Sequence, residues 1–563
     1  MIDFKQIIAE SIAQITKIEV NEIKGFIEVP KEQGNGDYAF PCFKLAKTLR
    51  KSPNVIADDI KANVNISEKY VEKIEVVGGY LNFFVNKETL AKEILQEVDE
   101  NEEYGKSKIG NGKNIVIDYS SPNIAKTFHI GHLRTTVIGS ALYNIYKYLG
   151  YNVTGINHLG DYGTQFGKLI YAYKTWGNAE AIKENPIQEL KRVYVKFHEE
   201  VEKNKELEDE GRKWFKKLCE NDKEALELWN WFKEESLKDF QKTYDLLGIN
   251  KFDSYTGESY YKNLANDVVE EIEKKGISKI SEGATIVDLG ENKTPALIKK
   301  SDGTTLYITR DIAALIDRKN KYNFDEILYV VGSEQTLHFE QIKEVLQKMG
   351  YDYFDSIHHI GFGMVLQDGK KMSTRGGRTA SLNVLLDNSI ELAKKIIEEK
   401  NPNLPNKDEV IKQVGVGAVI FNDLKNYRIN DIEFKLEDIL KFEGETGPYI
   451  QYTCARANSL IKKLKNNSVD YENLEINEYE WNVIFRLNEF EETILKSKDN
   501  YDPSLIAKYI IDLAQDFNKL YANYKFIDEN ENLTEFRLQI AYATKIVLKE
   551  GMRLLGINAP DEM

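Results

Sequence analysis

An apolar run, Asn114-Ile115-Val116-Ile117-Asp118-Tyr119, leads through a polar turn into a long helical pattern, and no other stretch restricts the fold of this chain as strongly. The run reads as a buried strand, and Leu133 to Leu149 carries apolar residues at helical spacing before stopping at Gly150. Between them lies Ser121-Pro122-Asn123-Ile124-Ala125-Lys126-Thr127-Phe128-His129-Ile130-Gly131-His132, which puts two histidines at a helix N-terminus. Unpaired N–H groups and the helix dipole attract anions there, and two imidazoles on one face add donors that can follow a phosphate. Gly131, between them, lets a flat ring approach the backbone. By itself such a pair is also the pattern of a structural contact or half a metal site, so the rest of the chain must decide.

At 563 residues the chain is too long for one core, and about three or four domains are expected. Hydrophobic residues at 42% and charged residues at 30% fit globular folding and argue against extensive disorder. No apolar run approaches the ~20 residues that cross a bilayer, and Met1-Ile2-Asp3-Phe4-Lys5 lacks a signal-peptide layout, so a cytoplasmic protein without membrane contact is expected. Cys42, Cys219 and Cys454 are far apart with no CxxC spacing, which indicates neither a disulfide framework nor a structural zinc site. The net charge of -15 does not advertise nucleic acid, but a polyanion answers to the local field of a basic stripe rather than to the total.

Residues 1 to about 105 read as a small α/β unit, with helical Ile7 to Thr16, the stretch Gly34 to Phe40, and Gly78-Gly79-Tyr80-Leu81-Asn82-Phe83-Phe84. From 106 to 405, short strands alternate with helices, the pattern of a parallel sheet with crossover connections. The expected strands are Ile115 to Tyr119, Asn152 to Ile156, Thr305 to Thr309, Glu326 to Val331 and Ile357 to Met364. Insertions at about 177–300 interrupt them: Pro186 to Leu246 is charged and helical in period, and Ile277 to Lys300 looks like short strands. Asn401-Pro402-Asn403-Leu404-Pro405-Asn406 works as a hinge, since two prolines cannot continue a helix, and 406–563 reads as all-helical. The expected fold class is therefore α/β: a Rossmann-like parallel-sheet domain with insertions, a small N-terminal α/β domain and an all-helical C-terminal domain.

A second cluster follows the last expected sheet strand: Gln367-Asp368-Gly369-Lys370-Lys371-Met372-Ser373-Thr374-Arg375-Gly376-Gly377-Arg378. Four cations and three glycines in twelve residues suit a positively charged loop that closes over a polyphosphate and stabilises charge as it builds. His-Ile-Gly-His and Lys-Met-Ser-x, in this order and more than 200 residues apart, resemble the signature pair of class I aminoacyl-tRNA synthetases. Longer stretches resemble one family of that class, the arginyl-tRNA synthetases: Ser120 to Thr135, Asn157 to Gly167, Leu306-Tyr307-Ile308-Thr309-Arg310-Asp311, and Gly447-Pro448-Tyr449-Ile450-Gln451-Tyr452. The likeness spans nearly the whole chain, including Gly36-Asp37-Tyr38-Ala39 and the ending Leu554 to Pro560.

The resemblance implies a two-step reaction. The carboxylate of L-arginine attacks the α-phosphate of ATP, giving arginyl-adenylate and pyrophosphate, and a ribose hydroxyl of the terminal adenosine of arginine tRNA then takes the arginyl group. No protein nucleophile is needed, so catalysis rests on positioning and charge neutralisation at phosphorus. The residues carried over as catalytic are Lys126, His129, Gly131, His132, Lys371, Met372, Ser373 and Arg375. Mg2+ is expected to travel with ATP, with no protein-bound metal. One departure stands out: the loop ends Lys371-Met372-Ser373-Thr374, without the second lysine of the wider class. Many arginyl enzymes carry a lysine just before the first signature histidine, which matches Lys126, so Lys126 is expected to substitute, with Arg375 as the alternative.

Arginine specificity needs carboxylates placed for bidentate, charge-assisted bonds to a planar cation. The matching positions are Asp118 and Asp311, with Tyr307 lining the pocket and Asn123, His129 and Gln335 near the other end of the substrate. His129, Gly131, His132, His158, Gly160, Phe362 and Lys371 are expected around ATP. Tyr509, Phe517, Tyr521, Tyr524 and Phe526 in the helical region, which resembles an anticodon-binding domain, are candidates to stack on unpaired bases. Phe26, Tyr38, Phe40 and Tyr80 are the counterparts in the N-terminal unit, which resembles a domain that touches the tRNA elbow. A monomer is expected. The cysteinyl branch of the class is disfavoured by the Asp118 and Asp311 pair, and a noncatalytic RNA-binding descendant by the retained His129, His132, Lys371 and Ser373.

Overall fold

The computed structural model describes residues 3–30, 33–101, 103–126, 128–367, 370–371, 381–463, 469–472 and 474–563. The chain forms two compact units, one of Met1–Gly105, Thr453–Thr493 and Tyr509–Glu550, the other of Lys106–Tyr452, Ile494–Lys508 and Gly551–Met563.

The larger unit is built on a four-stranded parallel sheet in the order Ile357–His359, Glu326–Tyr329, Asn114–Asp118, Asn152–Ile156. Asn114–Asp118 has a partner on each side, and Ile115, Val116 and Ile117 are at most 1% exposed, so every apolar side chain of the run finds a core whichever face it points to. In register, Asp118 stands beside Ile156 and Tyr329, which brings three strand ends to one edge. The helix that follows, Ile130–Tyr148, closes on the strand through Gly139, where a Cβ would drive into the Tyr119 ring. The insertion supplies the helices Pro186–Lys203, Leu207–Cys219 and Lys223–Leu247, and a three-stranded antiparallel sheet, Ser278–Ser281, Ala284–Val287 and Ala296–Lys299.

Two strand expectations are corrected. Thr305 to Thr309 is not a strand: Thr305 makes one isolated bridge to Lys299, and a helix, Tyr307–Tyr322, starts two residues later. The stretch is rich in β-branched and aromatic residues, but Ile308, Ile312 and Leu315 recur at helical spacing and are buried together, so tertiary burial overrides local propensity. The strand expected from Ile357 to Met364 ends at His359. Beyond it the chain passes Gly361 and Gly363 and forms a new small sheet, in which Val365–Gln367 pairs antiparallel with Lys370–Lys371 and parallel with Ile432–Glu433. Ile432–Glu433 is a short strand in a region whose pattern predicts helices alone.

In the smaller unit, a three-stranded antiparallel sheet has the order Tyr38–Pro41, Tyr80–Val85, Val71–Val77, with its hairpin turned at Gly78 and Gly79, both at positive φ. The helix Glu478–Asn488 packs against this α/β portion: Trp481 Nε1 donates to Asp37 Oδ1 at 2.8 Å, and Asp37 Oδ2 accepts from the Val85 N–H at 2.9 Å. Burial sorts the aromatic candidates. Tyr38, Phe40, Tyr509, Phe517 and Phe526 are buried core residues and cannot stack on a base, whereas Tyr521 and Tyr524 keep accessible faces beneath Arg456 and Arg537.

Candidate active site

Strand Asn114–Asp118 ends in a turn held out of the usual backbone regions. Ser120, Ser121 and Ala125 are all left-handed, at φ 72°, 48° and 59°. Each such residue costs about 1 kcal/mol or more and persists only where its surroundings hold it. Here they do. The Ser120 N–H donates to Thr135 Oγ1 (3.0 Å), Ser120 Oγ meets Tyr244 OH (2.8 Å), Ser121 Oγ donates to Asp118 Oδ1 (3.0 Å), and the Ala125 N–H donates to Ser236 Oγ (2.9 Å). Asn123 bridges to Gly160 in the turn after the neighbouring strand, with the Gly160 N–H donating to Pro122 O at 3.1 Å. Ser236 and Tyr244 belong to the inserted helix Lys223–Leu247, so the insertion braces the turn.

The histidines cap the next helix. The His129 backbone N–H donates to His132 Nδ1, and the Gly131 N–H donates to His129 Nδ1, both at 3.1 Å. A backbone N–H can only donate, so each Nδ1 is an acceptor and each neutral ring carries its proton on Nε2. The rings stack with centroids 3.7 Å apart, and Gly131 makes this possible because a Cβ there would lie 2.9 Å from His129 Cε1. Burial, then the charge of Lys126, pulls His129 below the usual histidine range. His132 is driven down to about 3 by burial first, then by His129 and Lys126. The site therefore holds two neutral Nε2–H donors with an exposed ammonium, Lys126, in electrostatic reach of both.

Of the second signature, the side chain of Lys371 and the whole of Met372, Ser373 and Arg375 lie outside the described residues. Its flanks are described. The Lys370–Lys371 backbone forms a strand, and on the far side Ser381 bridges to His129 while the Leu382 N–H donates to Phe128 O at 3.1 Å. The chain thus re-emerges from the second signature directly beside the first.

Next to the strained turn lies a cavity of about 510 Å3, lined by Asp118, Asn123, His158, Gly160, Glu258, Tyr307, Asp311, Arg318, Gln335 and His338 among others. Its floor is Arg318, almost fully buried, whose Nη1 reaches Asp118 Oδ2 (2.7 Å) and Tyr329 OH (2.9 Å) and whose Nη2 reaches His158 Nδ1 (3.2 Å). Burial and then Arg318 hold His158 below its usual range, which keeps Nδ1 an acceptor. Asp311 takes His338 Nε2 on Oδ2 at 2.6 Å and stands less buried than Asp118. Glu258 also faces the cavity; its Oε2 is buried with no hydrogen-bond partner, and burial, offset in part by Arg310 at 3.7 Å, pushes its carboxyl up to about 7. The adjacent Ser259 is tied through N–H and Oγ to buried Asp161, both at 2.8 Å, which fixes the segment carrying Glu258. Among the described residues no group of three or more His, Cys, Asp or Glu converges as metal ligands would.

The structure therefore gathers Asp118, Asn123, His158, Gly160, Tyr307, Asp311 and Gln335 in one cavity and sets His129, Gly131, His132 and Lys126 on the adjoining turn. Phe362 does not line the cavity; its ring lies 5.8 Å from the Arg134 guanidinium, and its carbonyl accepts from Ser333. The sequence pattern singles out neither Glu258, Arg318 nor His338. Glu258 sits in a turn-rich stretch without periodicity, and Arg318 looks like one more charged residue of a helix until its partners, up to 200 residues away, are known.

Comparison with known proteins gives one family along the whole chain. Residues 3–85 match the arginyl tRNA synthetase N terminal domain, 93–436 the catalytic domain of class I (R) tRNA synthetases, and 450–563 the DALR anticodon binding domain. An arginine–tRNA ligase of Bacillus cereus is 51% identical with all of both chains covered, and one of Enterococcus faecalis is 50% identical over 99% of this chain and 100% of its own. Among solved structures, Thermus thermophilus arginyl-tRNA synthetase superposes with a TM-score of 0.84 at 27% identity over 100% of both chains, and the Plasmodium falciparum enzyme with 0.80 at 27% over 99% of both.

The histidine cap generates a prediction. Since the folded pKa of His132 lies below the ordinary histidine value, the unfolded chain binds more protons in between, and this group's stabilising contribution is lost as pH falls from about 6.5 toward 3. Nitrogen-15 NMR of the ring should show a neutral, Nε2-protonated His132 from about pH 8 to about pH 5. Protonation near the ordinary histidine value would show that the cap is open.

Proposed function

The chain belongs to the arginyl-tRNA synthetases, class I aminoacyl-tRNA ligases, and from that premise we propose how its own residues divide the work of charging tRNA with arginine. The observation that carries the reading is the juxtaposition of a carboxylate-lined cavity with a turn whose two neutral histidines stand beside the re-entry of the second signature. L-arginine lies in the cavity. Its guanidinium meets Asp311 and Glu258 beside Tyr307, while Asn123, Gln335 and His129 serve the end that carries the reacting carboxylate. Asp118 acts there as part of the wall, with its charge balanced by Arg318.

ATP, with Mg2+ as its companion, lies over the turn. Gly131 and the Nε2–H groups of His129 and His132 follow the phosphates, with Gly160, His158 and Phe362 bordering adenosine. When the arginine carboxylate attacks the α-phosphate, negative charge builds on phosphorus and on departing pyrophosphate. The two imidazoles, held by the helix cap, stabilise it without reorganising, joined by Lys126 and, from the second signature, Lys371, the Met372 backbone, Ser373 and Arg375. The influence of Lys126 on both histidines supports its taking the place of the missing second lysine. Transfer to the terminal ribose of arginine tRNA follows. Residues 1–105 serve the tRNA elbow, 106–405 with insertions at about 177–300 the chemistry, and 406–563 the anticodon. The enzyme works as a monomer in the cytoplasm.

Arginine-dependent exchange of pyrophosphate into ATP, run with and without arginine tRNA, tests the reading. Activity with arginine alone among amino acids is expected, and exchange driven by another amino acid would overturn it. In the same assay Asp311→Asn should raise the KM for arginine by the equivalent of ~1.5 to 3 kcal/mol, because a charge-assisted bond is lost. An unchanged KM would remove Asp311 from the pocket.

Glu258 adds a pH signature. Its free-state carboxyl titrates at about 7, and an arriving guanidinium favours the ionised form, so binding expels a proton wherever Glu258 begins protonated. Arginine affinity should therefore be constant above about pH 7 and weaken as pH falls below it, with Glu258→Gln flattening the slope. Equal pH dependence in wild type and variant by calorimetry would exclude Glu258 from the contact.

A further inference from the structure

We propose that Arg134 is a positioning residue for adenylate formation: from the histidine-capped helix it grips the segment that carries the strand leading into the second signature, and so sets the separation of the two signatures. The inference rests on the functional reading above.

Arg134 lies two residues after His132 and is 1% exposed. Its Nη1 donates to Asn430 O at 2.8 Å, its Nε lies 3.4 Å and 3.3 Å from the two oxygens of Asp423, and its guanidinium stands over Phe362. Asp423 is on the helix Lys407–Leu424, and Asn430 belongs to the segment that follows it. That segment is a splint for residues 361–366. Arg428 Nη1 donates to Gly361 O (2.6 Å), the Gly363 N–H to Arg428 O (2.9 Å), the Met364 N–H to Asp431 Oδ1 (2.6 Å), and the Ile432 N–H to Met364 O (2.9 Å). Val365 and Leu366 then pair with Ile432 and Glu433, and Leu366 with Lys371. Gly363 allows no slack, since a Cβ there would sit 2.6 Å from the Asn430 carbonyl. One side chain thus joins the helix of the first signature to the strand of the second.

The pair is a poor stabiliser. Arg134 Nη2 and Asp423 Oδ2 are buried without hydrogen-bond partners, and burial keeps the Asp423 carboxyl above its usual range despite the guanidinium. Buried ion pairs of this quality are often replaced by apolar residues at no cost in stability, whereas a planar fork that holds two acceptors at once specifies geometry. Lysine cannot copy that fork.

The test compares wild type, Arg134→Lys and the double variant Arg134→Met/Asp423→Leu in arginine-dependent pyrophosphate exchange with arginine tRNA present. Rates are referred to sites counted by calorimetric titration with arginine, so unfolding lowers the number of sites and not kcat. None of the bridge residues lines the arginine cavity. The expected result is a kcat per site down about tenfold or more in both variants with the KM for arginine within about twofold, the pattern of an interaction used only in the transition state. A kcat per site equal to wild type in Arg134→Lys overturns the proposal, as does a loss that consists only of fewer arginine-binding sites or of a raised arginine KM. Should the double variant not fold, the lysine variant, which keeps a cation beside Asp423, decides. Absence of exchange in wild type would instead overturn the functional reading.

Discussion

One buried guanidinium organises the cavity on which the proposed arginine site depends. Arg318 joins Asp118 at the end of the central strand, Tyr329 at the end of its neighbour and His158 in the turn after the third. Three separate pieces of backbone thus share one rigid, always-charged partner. Its own helix also carries Asp311, seven residues earlier and so two turns back on the same face, with Tyr307 one turn before that. Removing either member of the Asp118–Arg318 pair would leave the other as an unpaired buried charge, at a cost of ~3 to 5 kcal/mol. In the proposed reading a site for a cation is thereby built on a cation: Arg318 neutralises one carboxylate, and Asp311 and Glu258 face the substrate.

The second organising fact is stored strain. Three left-handed non-glycine residues lie between the central strand and the histidine cap: Thr135 and Tyr244 hold Ser120, Asp118 holds Ser121 and Ser236 holds Ala125, and two of those four partners, Tyr244 and Ser236, come from the inserted helix Lys223–Leu247. The insertion is therefore part of the turn's support. The histidine cap completes the preorganisation by fixing both tautomers, so that in the proposed reaction no proton has to move before charge builds on phosphorus.

Local signals made much of this legible in the sequence. The β-branched run Ile115–Ile117, flanked by polar residues, announced the central strand, and the capped helix after it followed from periodicity and Gly150. The short strands of Ile277 to Lys300 also appeared where expected. Thr305 to Thr309 misled because β-branched and aromatic residues at a helix start look like a strand until Ile312 and Leu315 are seen to share their core. Partnerships were not legible. Asp118 reads as a free carboxylate in sequence, and only the fold brings Arg318 to it; Glu258 has neither motif nor period, and the burial of its oxygen without a hydrogen bond exists only in three dimensions.

In the proposed reading the cavity over Arg318 recognises a guanidinium by charge. Calorimetric titration with arginine and with citrulline, which has the same length and shape but a neutral urea in place of the guanidinium, separates charge from shape. Citrulline is expected to bind weaker by about a hundredfold or more, because Asp311 and Glu258 would face a carbonyl and lose their charge-assisted donors. Comparable affinities for the two would contradict it.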